Sequence, residues 1–285
     1  MGCALCHDAR PDLTELLGVV TTELDFERRF GGINRLYGED ALARLSQAHV
    51  CVVGIGGVGS WAAEALARCG VGYLTLIDLD HIAESNTNRQ IHALEGAYGQ
   101  AKVTAMAARI RHINPLCRVT EIDDFITVEN VARLLPSCDA VLDAIDDGRA
   151  KAALIAHCRA HDMPLVTTAA AGGRRDPTRI RVADLARTEH DPLAARLRAQ
   201  LRKDYGFPRG EKQSFGVECV FSTESIVRPQ KPAACASDPG AAPQGLNCAG
   251  YGSAVMVTAS FGMVAAGRVI ERLLEAGAGE QVGGR

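Results

Sequence analysis

The chain is 285 residues long, enough for one large domain with an appendage, and its 47% hydrophobic and 23% charged residues are ordinary for a water-soluble globular protein. A net charge of −3 excludes global attraction to nucleic acid, so any RNA contact must come from a local basic surface. The polar first residues lack the apolar centre of an export signal, which predicts a cytoplasmic protein with reduced cysteines rather than a disulfide framework.

In chain order, residues 1–26 read as a leader without defined structure apart from a short helix around Leu13–Val20. Its Cys3-Ala4-Leu5-Cys6-His7 matches the haem-attachment pattern, but that chemistry needs export; a zinc ligand set and an unstructured tail are the other readings, and the tail is preferred. A helix over Ala41–Ala48 precedes an alternation of strands and helices: Val50–Val53, Trp61–Cys69, Leu74–Ile77, Lys102–Ile113, Val119–Ile122, Ala140–Ala144, Ala150–His161 and Leu165–Thr168. Short apolar strands separated by helices predict an α/β fold with a mostly parallel sheet covered on both faces. Beyond Thr168 a C-terminal mixed extension is expected, with strands at Ile180–Val182 and Glu218–Phe221 and a basic helix over Leu193–Asp204. Residues 229–247 read as a mobile loop and 276–285 as a tail. Ala254–Gly267 is apolar but shorter than the roughly 20 residues of a spanning helix, so a buried or dimer-facing helix is expected, with peripheral membrane association the weaker alternative.

The stretch Val50–Lys102 carries the chemistry. An apolar strand runs into Gly54, Gly56, Gly57 and Gly59, the G-x-G-x-x-G turn that lets phosphate approach backbone amides at a helix start. Asp78 follows the second strand where an acidic residue can grip a ribose hydroxyl, with Asp80 beside it. NAD and ATP explain these residues equally well; Asn86, Arg89 and Lys102 favour ATP. Arg89 offers a planar fork for phosphate oxygens and Lys102 a compact charge. D-A-V-L-D-A-I-D-D reads as a strand ending at Asp146, a carboxylate suited to magnesium. Together these groups suit adenylate formation, in which charge develops on the α-phosphate and the departing pyrophosphate.

This ordered set resembles the adenylation domain of the ubiquitin-activating superfamily, in its bacterial HesA/MoeB/ThiF family. The resemblance implies a Rossmann-like fold over residues 27–275, with Asp78 on the ribose, Asn86 beside the nucleotide, Arg89 and Lys102 on the phosphates and Asp146 on magnesium. The upstream R-R-F-G-G-I-N-R-L-Y-G matches the family's arginine segment, implying a homodimer in which Arg35, or secondarily Arg29, completes the partner's site. R-F-G-G-x-x-R-L-Y-G, N-R-Q-I-H-A-L, D-P-L-A-A-R-L-R and C-V-F-S-T-E are similar to the branch that dehydrates threonylcarbamoyladenosine in tRNA, some of whose members have been discussed beside cysteine desulfurase systems. Ala169-Ala170-Ala171-Gly172-Gly173 departs from that branch, where more glycine is expected.

The resemblance implies ATP-dependent cyclisation of the modified nucleoside by adenylation of its carboxylate. Activation of a ubiquitin-like sulfur carrier, an ATP-binding module of a desulfurase system, and an NAD oxidoreductase are the alternatives. Basic residues at Arg174, Arg175, Arg179, Arg181, Arg196, Arg198, Arg202, Lys203, Arg209 and Lys212 are candidates for tRNA contact, against the ordinary reading of a solvated charged face. His81, His92 and His112 read as surface or structural residues, and Cys219 as core rather than nucleophile.

Overall fold

A computed structural model describes residues 25–210, 213–227 and 251–276. Residues 1–24 of the leader with its Cys3-Cys6-His7 motif, the expected mobile loop, the tail past Ala276, Lys212, Cys235 and Cys248 lie outside the described residues; the last two residues of the expected leader, Asp25 and Phe26, instead cap and open the first helix.

Three short helices open the fold, α1 (Phe26–Phe30), α2 (Gly32–Tyr37) and α3 (Ala41–Gln47). They lead into β1 (His49–Val53), α4 (Gly59–Arg68), β2 (Tyr73–Ile77), α5 (Lys102–Ile113) and β3 (Arg118–Ile122). The chain continues through α6 (Val131–Leu134), β4 (Ala140–Asp143), α7 (Gly148–Ala160) and β5 (Leu165–Thr168). β6 (Ile180–Asp184), α8 (Pro192–Asp204), β7 (Glu218–Ser222) and α9 (Val255–Ala276) complete it.

The seven strands form one sheet in the order β3-β2-β1-β4-β5-β7-β6. Every pairing is parallel except β6 with β7. The expected C-terminal extension is therefore a continuation of the same sheet, and β6 makes it mixed. β1 and β4 are neighbours although three strand numbers apart, so the chain reverses its direction of travel across the sheet between them. That crevice at the carboxyl ends is where open α/β sheets take ligands.

Two layers of helices enclose the sheet. On one face α4, α5 and α9 close over Val50, Val52, Leu74, Leu76, Leu142 and Val220. On the other, α7 and α8 cover Cys51, Val53, Val141, Cys219 and Phe221 through Leu154, Ile155, Leu197 and Leu201. The apolar C-terminal segment is a 22-residue helix against α4, longer than the expected Ala254–Gly267. Its Gly262 lies so close to α4 that a Cβ there would stand 2.4 Å from the Val58 carbonyl oxygen. Among the described residues no helix is long and apolar enough to cross a membrane. β4 ends at Asp143 rather than Asp146, because the chain turns away from the sheet after Asp143, whose carboxylate accepts the Ile145 amide at 3.1 Å.

Candidate active site

The carboxyl ends of the central strands open into a cleft of about 930 Å³. Gly54, Gly56 and Gly57 from the turn after β1, Asp78 and Asp80 after β2, Arg89, Gln90, Lys102 and Asp146 all line it. Residues dispersed over nearly a hundred positions are brought together because the turns after β1, β2 and β4, the loop that carries Arg89 and Gln90, and the start of α5 all open at this edge of the sheet.

The glycines act for separate reasons. Gly54 has φ +87°, and a Cβ on it would stand 2.9 Å from the Ala144 backbone; on Gly59 a Cβ would stand 1.7 Å from the Gly54 carbonyl oxygen. Both positions are closed to any side chain by the fold itself. Gly56 differs: the nearest atom to its Cβ position is Gln90 Nε2 at 4.0 Å, so the fold has room for a methyl there. A glycine at Gly56 leaves that room to a ligand lying over the start of α4, where backbone amides and the helix dipole favour phosphate.

Asp78 is buried, and both of its carboxylate oxygens already serve the backbone. The Ile55 amide donates to Oδ2 at 2.6 Å and the Asp80 amide to Oδ1 at 2.8 Å, so Asp78 fixes the glycine turn against β2. Burial raises its pKa, opposed by the Lys102 ammonium and the two amides. Lys102 Nζ donates to Asp80 Oδ2 at 2.6 Å and lies 4.0 Å from Asp78 Oδ1. Arg89 is held by the Ser85 carbonyl at 2.7 Å and Asn88 Oδ1 at 2.9 Å, both accepting from Nη1, while its own carbonyl accepts from Trp61 Nε1 at 2.9 Å. Desolvation lowers the Arg89 pKa and the negative charge of Asp146 opposes that shift, so the two groups sense each other across the cleft. A preset guanidinium facing a low-dielectric cleft loses little orientational freedom when it meets a phosphate.

Asn86 sits in the 3-10 turn Glu84–Asn86, accepts the Ala83 amide at 3.1 Å, and does not line the cleft. Its neighbour Gln90 does; it is 5% exposed and its Oε1 has no partner among the described residues. Arg35 is exposed on α2 and stands outside the cleft of its own chain, as does Arg29, which donates to the Ile113 carbonyl at 3.2 Å. Ala169, Ala171 and Gly172 line the cleft at the end of β5, while the Ala170 amide donates to Asp191 Oδ2 at 3.1 Å.

Several contributors escaped the sequence reading. Phe125 and Val128 stand half exposed on the cleft rim after β3 and make that side of it apolar. Their position just past a strand's carboxyl end was the available signal. Beneath the floor, Lys151 donates to Asp143 Oδ2 at 2.8 Å and to Thr167 Oγ1 at 3.1 Å, and Thr167 donates to the same carboxylate at 2.6 Å. The Lys151 and Asp143 side chains are both 0% exposed. His92 is buried behind Lys102 rather than on the surface; desolvation, with Lys102 and Arg109, lowers its pKa to about 4. Cys219 is buried within β7, where desolvation pushes its thiol pKa up. Arg174 is withdrawn from the basic surface as well, its buried guanidinium donating to Asp191 Oδ2 at 3.2 Å.

A glycine turn at a topological switch point, faced by two cations and a carboxylate, defines a nucleotide-binding α/β domain equipped for phosphate chemistry. The chain belongs to the ThiF family, whose pattern matches residues 31–283. It is similar to the tRNA threonylcarbamoyladenosine dehydratase of Escherichia coli (strain K12), with 55% identity over 87% of this chain and 94% of the relative. The Haemophilus influenzae enzyme of the same name is 49% identical over 88% and 95%. The Escherichia coli molybdopterin-synthase adenylyltransferase is 36% identical over 48% of this chain and 55% of its own length. The crystal structure of the E. coli dehydratase in complex with ATP superposes with a TM-score of 0.80 at 52% identity, covering 88% of this chain and 96% of that one. A complex of the same protein with AMP superposes at 0.79.

Proposed function

We propose that this protein is an ATP-dependent enzyme that dehydrates threonylcarbamoyladenosine in tRNA, closing a ring after adenylating the threonyl carboxylate. The observation that carries the chemistry is the convergence of Arg89, Lys102 and Asp146 on the cleft over the Gly54–Gly59 turn. Near-complete coverage of two relatives bearing that dehydratase name carries the substrate. The carrier-activating reading is less favoured, since the adenylyltransferase relative matches only 48% of this chain.

ATP supplies the leaving group: the carboxylate takes the adenylyl group with release of pyrophosphate, and attack from within the same nucleoside then expels AMP. The protein's residues do the rest. Arg89 and Lys102 are positioned to bind phosphate oxygens, and the amides of the glycine turn lie under the phosphates. Lys102 must exchange part of its hold on Asp80 to do so, which keeps its ammonium preset. Asp78, anchored by two amides, lines the cleft and is the carboxylate that would take the ribose. Magnesium fits the same site. Among the described residues no cluster of three or more His, Cys, Asp or Glu side chains could hold a metal alone, whereas Asp146 is an exposed cleft carboxylate. One carboxylate, phosphate oxygens and waters are the environment magnesium ordinarily takes.

A homodimer completed by Arg35, or by Arg29, accords with the place of both arginines outside their own cleft. Mixing Arg35→Ala with Asp146→Ala protein should restore part of the activity through heterodimers. Absence of rescue for both arginines, with subunit exchange verified, removes the proposal. Association with a cysteine desulfurase system rests on family resemblance alone, and co-purification with such a system tests it. For the reaction itself, tRNA carrying threonylcarbamoyladenosine is incubated with protein, ATP and magnesium and its nucleosides weighed by mass spectrometry. Loss of one water from the modified nucleoside is expected; an unchanged mass, with ATP turned over only when a carrier protein is added, overturns the reading.

A further inference from the structure

We propose that Arg196 and Lys203 on α8, continued by Arg149 at the cleft mouth, form the track that holds the phosphate backbone of the RNA substrate. The proposal rests on the reading of the cleft as a tRNA-modifying site and adds the surface by which the polymer is held.

α8 carries Arg196, Arg198, Arg202 and Lys203 against one acidic residue within the helix, Asp204, in a chain whose net charge is −3. Two of the four cations are committed to the fold. Arg198 Nη1 donates to Thr188 Oγ1; Arg202 Nε donates to the Pro208 carbonyl at 3.1 Å, with its guanidinium over the Phe215 ring at 5.1 Å. Arg196 and Lys203 are exposed, and neither has an ion pair among the described residues. Seven positions apart, they share one side of the helix about 10 Å from each other along its axis. The exposed residues between and beside them, Ala195 and Ala199, keep that side low enough for a backbone to lie along it.

A helix face that merely keeps a protein in solution mixes signs and pairs them at i, i+3 and i, i+4. Here the residues three and four away from Arg196 are Leu193, Pro192, Ala199 and Gln200, and those around Lys203 are Gln200, Ala199, Gly206 and Phe207. None is acidic, so neither cation is neutralised along the helix. Asp204 and the N-cap Asp147, which is occupied by the Arg149 and Ala150 amides, bound the surface without interrupting it.

The track also leads to the chemistry. Leu193, one turn before Arg196, lines the cleft, and its Cδ1 comes within 3.8 Å of the Cβ position on Gly148 at the start of α7. Arg149, the next residue, is exposed and lines the same cleft. A nucleotide inserted into the cleft therefore leaves its flanking phosphates at the mouth, within reach of Arg149, and directs the strand along α8. Release of condensed counterions by such contacts provides affinity without sequence preference.

The test compares tRNA binding by the parent with the double variants Arg196→Glu/Lys203→Glu and Arg196→Ala/Lys203→Ala across a salt series. Native-like thermal melting and unchanged ATP affinity are required of each variant. The glutamate pair should weaken tRNA binding by at least about tenfold and raise KM for tRNA, with kcat at saturating tRNA close to the parent's. The alanine pair, which introduces no repulsion and serves if the glutamate pair misfolds, should flatten the log K against log salt slope by about 0.7–0.9 per lost contact. Unchanged affinity and slope in the alanine pair overturn the track, as does preferential capture of poly-glutamate over tRNA by the parent. A slope that flattens in the alanine pair as expected, with the modified nucleoside left unaltered by the parent, upholds the track and overturns the proposed function.

Discussion

Two carboxylate–cation systems take their carboxylates from the end of β4 and the turn after it, three residues apart, and they sit in opposite environments. Asp143 and Lys151 lie under the cleft floor, with side chains 0% exposed and every contact made inside the protein. Asp146 stands exposed in the cleft, where its charge bears on Arg89. In the buried pair the charges neutralise each other and hold the strand ends together: Asp143 pairs in register with Val53 of β1 and Thr167 of β5, and its carboxylate fixes the Ile145 amide. In the open system both charged groups line the cleft, where a ligand can reach them. The same residue types thus build a scaffold or a site according to whether water and substrate can reach them.

The sharpest way to break this comparison is to remove one member of each system. Lys151→Met leaves Asp143 buried without its cation and should destabilise the fold by about 3–5 kcal/mol in denaturant unfolding. Lys151→Met combined with Asp143→Asn should recover part of that loss, since no charge is then stranded. A Lys151→Met protein as stable as the parent would mean that the buried pair is not structural.

Asp146→Ala, Arg89→Ala and Lys102→Ala should show the reverse signature. Each is expected to cost more in turnover than in stability, slowing adenylation with a loss of transition-state stabilisation of about 2.7–4 kcal/mol. Pyrophosphate release under single-turnover conditions reads this directly. Rates within a few-fold of the parent for all three variants would place the chemistry elsewhere.

Much of this division was open to sequence reading and part of it was not. The glycine turn, Asp78 and Lys102 were legible because each lies at a strand end or helix start, a position that local hydrophobic pattern reveals, whereas Arg89, in the loop between β2 and α5, was legible only through its S-N-T-N-R-Q motif. Lys151 was not: within G-R-A-K-A-A-L-I-A it looks like an ordinary solvent-facing lysine, and only the approach of β4 and β5 buries it. The end of β4 was misplaced for a related reason, since Ala144 and Ile145 continue the apolar run while Asp143 has already begun the turn. α1 and α2 were missed because Gly31 and Gly32 interrupt any helical period. α9 runs past the expected end at Gly267: the apolar segment stops at Arg268, but Arg268 and Arg272 stay helical and pair with Glu218 of β7.

A smaller effect separates the two environments through pH. His92 is 3% exposed, and desolvation followed by repulsion from Lys102 and Arg109 lowers its pKa to about 4. Its depressed folded pKa means that the unfolded chain binds the extra proton first as pH falls. The contribution to stability is therefore full above about 6.5 and is lost as pH falls through about 4, up to about 3 kcal/mol in total. His92→Gln should remove that segment of the pH–stability curve, measured by urea unfolding between pH 7 and 4. A curve of unchanged slope would mean that His92 is protonated in the folded protein.

The least expected effect is on Cys219. A thiol intermediate is useful when an activated carboxylate must be carried to another molecule, whereas here the attacking atom belongs to the same nucleoside. Groups held that close reach effective molarities of about 10⁵–10⁸ M in well-oriented cases, so transfer through a carrier thiol offers little. The structure adds a reason from the other side: Cys219 lies mid-strand in β7 between Thr167 of β5 and Ala183 of β6, and burial disfavours the thiolate that would have to attack. Cys219→Ser should accordingly keep turnover within a few-fold of the parent. Its thermal stability should fall modestly, because a hydroxyl buried in place of a thiol costs about 1–3 kcal/mol unless it finds a partner. Turnover is therefore read per folded molecule, alongside a melt. A thioester trapped on Cys219, together with lost activity in a stably folded Cys219→Ser protein, would overturn direct ring closure and return the carrier-activating chemistry to first place.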